Sequence, residues 1–495
     1  MALIGIDVGG TGVKAVAFST TGEILASTYQ EYDMYSDAPG HFEAVPSKIY
    51  QSTRKVLRAT AAACPERVDG IGVSSFAESF VCFDKDGNIL CNSLMYLDTR
   101  GTDLPAKLFE KFPLEEVKAY SGASPRHIHS IFRMMLMNEI WPGVLEKTAK
   151  IHFMADFIVS CLGGEHYTDY SLATSSLAFD INKKQWRRDI FEWVGLNPDA
   201  LPKPLPTGAK IGELSAAAAL DLGLPAGIPL VSGGHDHIAS SVGAGVYKAG
   251  QMMNAIGTVD GFTILTDSAE VGRAANGYDF IYKPHYFQEN YAVMTSNLTG
   301  GVLLKWFRDH IGKFEKEFWA NEGKDFYAEF EKQMAKEPTD LIVLPRFGGA
   351  KEAPFGKKAG ILNMTLSTTN EEIYRAFMEG ESFEMFGYFN NFLKSGGRVD
   401  SLTAVGGGAR CDTYMQIRSD IFNVPVRTVT CDQPGALGDA MMAGIAAGVF
   451  ANADEAISSI VGIRRVFEPD AKRHEYYMEQ YDKYCRIYEF LATVK

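Results

Sequence analysis

Residues 5–18 read GIDVGGTGVKAVAF. An apolar run reaches Asp7, two glycines and a threonine break it, and alternation resumes at Val13. Two antiparallel strands joined by a glycine turn give that pattern. Gly9 and Gly10 let the backbone approach a ligand closely. Successive N–H groups and the Thr11 hydroxyl can cradle phosphate oxygens, and Lys14 adds a point charge. Asp7, at its strand's end, suits a hydrated Mg²⁺, a hard cation that prefers carboxylate and water. The stretch is neither a Walker A nor a GxGxxG sequence, so those two readings of it fail. Taken alone it is equally a plain glycine hairpin.

The opening pattern partly recurs at residues 254–265, NAIGTVDGFTIL, with Gly257 and Thr258 at the turn. Two halves that each open on a glycine-hydroxyl hairpin imply a duplicated α/β fold. A chain of 495 residues is in any case too long for one core. The boundary falls near Gly243–Gly245, giving domains 1–243 and 244–495. Two such turns facing each other across a cleft would grip one polyphosphate. The pattern predicts helices over 46–63, 130–160, 370–394, 412–422, 435–450 and 474–492. It predicts a buried strand over 68–75 and a stiff proline-rich connection over 197–207.

Residues 402–420, LTAVGGGARCDTYMQIRSD, leave a strand through three glycines and enter a helix at about Asp412. Bare backbone at Gly407 and Gly408 suits a flat purine or its ribose. Glu78 ends a buried strand among Ser74, Ser75 and Ser79, and Asp98 and Arg100 follow another strand-like run. Carboxylates and an arginine fork are the partners that a hydroxyl-rich small molecule wants. Asp98 and Arg100 also fit a local ion pair, and Glu78 a solvated loop acid.

Residues 231–240 read VSGGHDHIAS. His235 and His237 share a face of an extended strand, but no third His or Cys lies near, so a zinc site is disfavoured. There is no GxSxG, so a serine nucleophile is not indicated. Asp236, on a glycine turn at a strand's end, fits a general base for phosphoryl transfer to a hydroxyl. It also fits a turn aspartate that caps a helix starting near Ile238.

The bulk properties narrow the partners. A formal net charge of −13 argues against nucleic acid or an anionic membrane. Seven scattered cysteines without a CxxC read as reduced thiols. The first residues run straight into a strand pattern without the charged and apolar regions of a signal peptide. A cytoplasmic protein is expected.

Together these motifs resemble the FGGY family of carbohydrate kinases, on the actin/hexokinase-type ATPase fold. The likeness runs from GIDVGGT to GALGDAMMAGIAAG. The resemblance implies two ribonuclease-H-like domains, each a mixed five-stranded sheet with helices on both faces, with a central cleft. It implies ATP and Mg²⁺, and a sugar, ketose or polyol as acceptor. Position by position, Asp7 resembles the family's aspartate near Mg²⁺, with Asp236 beside it as catalytic base and sugar contact. Gly10, Thr11 and Lys14 resemble the first phosphate loop, and Gly257 and Thr258 the second. Gly301 resembles a glycine near the nucleotide, and Gly407, Gly408, Ala409 and Asp412 the adenosine motif. Glu78, Asp98 and Arg100 resemble substrate contacts. The expected acceptor is a ketopentose such as xylulose or a related ketose. The alternatives are a polyol of the erythritol or glycerol kind, an aldonate, or a non-enzymatic actin-like nucleotide switch. A homodimer is compatible with the family, though no sequence feature requires one.

The chain departs from the family pattern in places. Ala77 stands where glycerol kinases have an arginine, which argues against glycerol. Ile131 and Met134 replace a Lys and a Trp of one signature, Asn363 replaces a Gly of another, and His235 and His237 are not standard. Arg126, His127 and His129 are candidates to supply the missing sugar contacts.

Overall fold

The strand Ala2–Val8 is apolar almost throughout because both of its faces are covered. It pairs antiparallel with Gly12–Ser19, which pairs antiparallel with Ile24–Glu31. On its other side it pairs parallel with Val68–Ser75, and that strand pairs parallel with Pro229–His235. These five strands form the mixed sheet expected, and Lys210–Glu213 adds a sixth at the edge. The computed structural model describes residues 1–287, 290–297, 299–347 and 359–493.

The chain forms two compact units. The first comprises Met1–Tyr247, Asp267–Val293 and Gln433–Val461. The second comprises Lys248–Thr266, Met294–Asp432 and Gly462–Lys495. In the second unit Gln251–Ile256 repeats the role of Ala2–Val8. It pairs antiparallel with Asp260–Thr266 and parallel with Ser401–Val405. Ser401–Val405 pairs parallel with Val426–Val429, and Ile463–Phe467 closes the edge antiparallel. The same sequence of antiparallel and parallel pairings occurs in both units, as the repeated hairpin predicts.

Helix Pro434–Ala446 shows why its sequence, GALGDAMMAGIAAG, is so poor in large side chains. A methyl on Gly5 would lie 1.8 Å from Ala436 O, and one on Gly72 would lie 2.2 Å from Asp439 O. The helix therefore rests with its backbone almost on the sheet. It also packs on helix Asp236–Gly243, where a methyl on Gly438 would sit 1.9 Å from Ala239 O. A membrane span is not needed to explain this segment, and no helix among the described residues is long and apolar enough to be one.

One element differs from expectation. Residues 130–160 contain helices Ser130–Ile140, Val144–Lys147 and Met154–Leu162, with a strand, Lys150–Phe153, between the last two. Only its partner makes that segment a strand: it pairs antiparallel with Phe80–Phe83.

Candidate active site

The first unit gathers its chemistry at the carboxyl ends of parallel strands, where open α/β sheets bind ligands. Asp7 lies opposite Ser74, Ser74 opposite Gly234, and Ser75 opposite His235. The strand Pro229–His235 passes directly into helix Asp236–Gly243, with Asp236 as its first residue. Gly234 makes the junction, at φ +74°. A methyl there would also strike Ser171 Oγ at 2.5 Å and both Asp169 carboxylate oxygens at 2.8 Å. The glycine is therefore required by both conformation and space.

Asp236 Oδ1 accepts the His237 N–H at 2.6 Å and lies 3.3 Å from His235 Nε2. A third of its side-chain surface, 33%, still meets solvent. Burial pushes the Asp236 carboxyl up to about 6, against the His237 N–H and the positive charge of Lys283. Asp7 is pushed up to about 7, first by burial and then by the charge of Asp236; Lys14 and His237 act the other way. Burial holds His235 well below the usual imidazole range, so its ring is neutral. The His235 and His237 rings are stacked with centroids 5.4 Å apart.

The glycine turn after Asp7 is closed by a Gly9 N–H to Gly12 O bond of 2.9 Å. Tyr32 donates its hydroxyl to Gly9 O, and Lys14 Nζ donates to Gln433 Oε1 at 2.7 Å. Thr11 is exposed. A methyl on Gly10 would lie 2.9 Å from the Tyr96 hydroxyl, so that ring forms a wall of the turn. The charges of Asp236 and Glu78 both raise Tyr96 above its ordinary value, after burial. Tyr96 therefore stands where the turn and the two acids meet.

Glu78 is half-buried, and burial raises it above the ordinary glutamate value while Lys283 opposes the shift. Lys283 was not foreseen from the sequence. It comes from strand Ile281–Pro284, is 3% exposed, and donates to Ser175 Oγ at 3.0 Å and Ser171 O at 3.3 Å. Both serines belong to the short helix Tyr170–Thr174 and its cap, and Asp169 holds that helix at its N-cap. The hydroxyl of Ser171 also accepts the His235 N–H at 2.9 Å. One helix thus fixes both the lysine and the strand end that carries Asp236.

Asp98 and Arg100 are largely committed to each other. Asp98 is 0% exposed. Its carboxylate accepts from the N–H groups of Phe42 and Arg100 and from the Arg100 guanidinium at 2.6 Å. Arg100 also donates to Glu43 at 2.9 Å. Their carbonyls hold Arg133, which reaches Asp98 O at 2.9 Å and Arg100 O at 3.3 Å. Arg133 in turn favours the charged form of Glu78. Arg126 faces Asp279 at 3.3 Å. The two His129 ring nitrogens lie 3.2 Å from the carbonyls of Ser175 and Ser124.

The second unit holds the remaining expected residues. Gly257 and Thr258 form an exposed turn. Gly301 N–H donates to Gly257 O at 2.8 Å and Val302 N–H to Thr258 O at 3.3 Å, so the turn sits on the start of helix Gly301–His310. A methyl on Gly301 would lie 2.4 Å from Gly257 O. Gly406 adopts φ +90°, and a methyl on Gly408 would meet Ile256 Cγ2 at 2.3 Å. Gly407 faces open space. Ala409 is buried and its carbonyl accepts from Arg464 at 2.9 Å; Asp412 begins helix Asp412–Phe422 and pairs with Arg465.

Among the described residues no group of three or more His, Cys, Asp or Glu could hold a metal ion by itself. The residues do fit a cation that brings its own ligands. Asp7 Oδ1 is buried without a hydrogen-bond partner, and the charge of Asp236 raises Asp7. Two such carboxylates suit Mg²⁺ completed by phosphate and water.

Known proteins align along nearly the whole chain. Residues 2–243 match the model of the FGGY family of carbohydrate kinases, N-terminal domain, and residues 252–447 match that of its C-terminal domain. The xylulose kinase of Bacillus subtilis (strain 168) is 26% identical over 500 residues, covering 98% of this chain and 96% of its own. A gluconokinase of the same organism is 24% identical over 467 residues, covering 93% and 90%. The crystal structure of xylulose kinase from Rhodospirillum rubrum aligns with a TM-score of 0.88 over 99% of both chains, at 24% identity.

Proposed function

The chain belongs to the FGGY family of carbohydrate kinases, and from that premise we propose that it transfers the γ-phosphate of MgATP to a hydroxyl of a ketopentose such as xylulose, or of a related ketose. The observation that carries this reading is the grouping of Asp236, Glu78 and Lys283 beside the glycine turn that follows Asp7. A nucleotide switch has no use for such a set. An acceptor hydroxyl does.

In this reading Asp236 accepts the proton of the attacking hydroxyl. Its affinity, about 6, suits a base working near neutral pH. Asp7 and Asp236 are the cation's protein partners; when bound, Mg²⁺ neutralises charge on the phosphate oxygens. Thr11 and Lys14, with the Gly10 backbone, bind phosphate in the first unit; Gly257 and Thr258 do so in the second. Gly301, Gly407, Gly408, Ala409 and Asp412 form the nucleotide's surroundings. Glu78 accepts hydrogen bonds from sugar hydroxyls. Asp98 and Arg100 support that wall through Arg133 rather than by offering free hydrogen-bonding groups.

The test is coupled ADP release over ketopentoses, deoxyketoses, tetritols, glycerol and aldonates, with the wild type beside Asp236→Asn. Sugar-dependent turnover that collapses in the variant supports the reading. ATP binding without turnover on any acceptor would favour the nucleotide switch instead.

A further inference from the structure

Lys283 is a buried cation outside the motifs read from the sequence. Two of its three N–H donors are taken, by Ser175 Oγ at 3.0 Å and Ser171 O at 3.3 Å. One remains. Burial lowers Lys283 from the ordinary lysine value, and three carboxylates oppose that shift: Glu78, Asp169 and Asp236. Asp169 is occupied elsewhere, since it accepts from Ser171 N–H, Leu172 N–H, Thr207 and Ser232. Glu78 is not, for among the described residues no other residue donates a hydrogen bond to its carboxylate. The nearby arginines are committed. Arg133 holds the Asp98 and Arg100 carbonyls, Arg100 holds Asp98 and Glu43, and Arg126 faces Asp279.

A charge count follows. Three carboxylates, Glu78, Asp169 and Asp236, face the single ammonium of Lys283. Among the described residues the pocket has a free acceptor in Glu78 and a free donor on Lys283, and Lys283 has no positive charge to spare. A hydroxyl or carbonyl oxygen can take the donor without adding charge. A sugar-acid carboxylate would lie beside Glu78 with its own charge uncompensated, which is costly in a partly desolvated site.

We propose that Lys283 is a specificity-determining residue that donates to an uncharged oxygen of the acceptor, and that the Glu78 and Lys283 pair makes the pocket select neutral ketoses or polyols over aldonates. The inference rests on the reading that Glu78 and Asp236 line the sugar site. It separates this chain from the aldonate activity named for its gluconokinase relative.

The test measures kcat and KM for neutral ketopentoses, tetritols and the matching aldonates on wild type, Lys283→Met and Glu78→Gln. ATP affinity and thermal unfolding of each variant are followed in parallel. Wild type should favour the best neutral acceptor over any aldonate by at least about 100-fold in kcat/KM. Lys283→Met should raise the KM of the neutral acceptor by about 10- to 100-fold with ATP affinity unchanged. Glu78→Gln keeps the volume but removes one of the negative charges that face Lys283, so it should narrow the discrimination by about tenfold or more by improving the aldonate. It also keeps the test decisive if Lys283→Met does not fold. A wild-type enzyme that prefers an aldonate would overturn the charge assignment while leaving phosphoryl transfer intact. Unchanged sugar KM in a folded Lys283→Met variant would overturn the role of the lysine. Absence of turnover on every acceptor would remove the kinase reading itself, and this inference with it.

Discussion

Asp439 Oδ2 accepts two hydrogen bonds from Ser74, one from its hydroxyl at 2.7 Å and one from its backbone N–H at 3.1 Å. The two residues are 365 positions apart in sequence. Ser74 stands opposite Asp7 in the parallel sheet. The bond therefore pins the late helix Pro434–Ala446 to the strand end beside the one that carries Asp7, the first expected metal ligand.

That contact gives a stability prediction with a sign. Burial holds the Asp439 carboxyl well above the ordinary carboxylate range, and the charges of Asp7 and Asp236 add to this. The folded state thus keeps a proton that the unfolded chain releases. The resulting stabilisation is complete below the unfolded value and is lost as pH rises through the raised folded one. Asp439→Asn carries no such titration, so its urea midpoint should rise relative to wild type as pH rises through neutrality. Asp439→Ala should lose about 1–3 kcal/mol, since it strands both Ser74 donors. Parallel pH dependence in wild type and the Asn variant would contradict the assignment.

Asp236→Asn should lower kcat by about 10²- to 10⁴-fold while leaving ATP binding in place. In the free enzyme Asp236 is held at about 6 and Asp7 at about 7. In the proposed reading both act deprotonated, so kcat/KM should fall as pH drops through that window and be level above it. A pH–rate profile without an acidic limb there would place the base elsewhere.

Gly438→Ala tests the close approach of the two helices. The added methyl would sit 1.9 Å from Ala239 O, a backbone atom that cannot rotate away. A loss of about 1–3 kcal/mol or more is expected in chemical denaturation. An unchanged midpoint would mean that the helices have room to separate.

Gly407→Ala separates ligand contact from packing. Nothing lies within 4 Å of a methyl at Gly407, whereas one at Gly408 meets Ile256 Cγ2 at 2.3 Å. Gly407→Ala should leave the melting temperature unchanged and raise the KM for ATP by roughly tenfold, about 1.4 kcal/mol. Gly408→Ala should lower the melting temperature. If Gly407→Ala leaves the nucleotide KM alone, the adenosine does not rest on that backbone.

The local elements were readable because each follows from a short-range period. The glycine hairpin after Asp7, the helix over 412–422 and the repeat at Gly257 are of this kind. Lys150–Phe153 was not readable, because its strand character comes from pairing with Phe80–Phe83. Lys283 was hidden for a related reason. In DFIYKPHYF it looks like the polar face of an alternating strand, and no local pattern marks a lysine as buried. Asp98 and Arg100 carried both a substrate-binding and an ion-pair reading. Only the hydrogen bonds of the folded chain show how fully they are engaged with one another.

The sequence by itself determined the duplicated sheet, the two glycine-hydroxyl turns, the small-residue helix and the order of motifs that marks the family. These rest on side-chain periodicity and on backbone freedom at glycine, both properties of neighbouring residues. The tertiary structure alone decided that residues 267–293 and 433–461 return to the first unit, bringing Lys283 and Asp439 to Glu78, Asp7 and Asp236. Whether such distant charges meet depends on which strands pair and which faces are buried. Once they meet, loss of water strengthens the interaction between them.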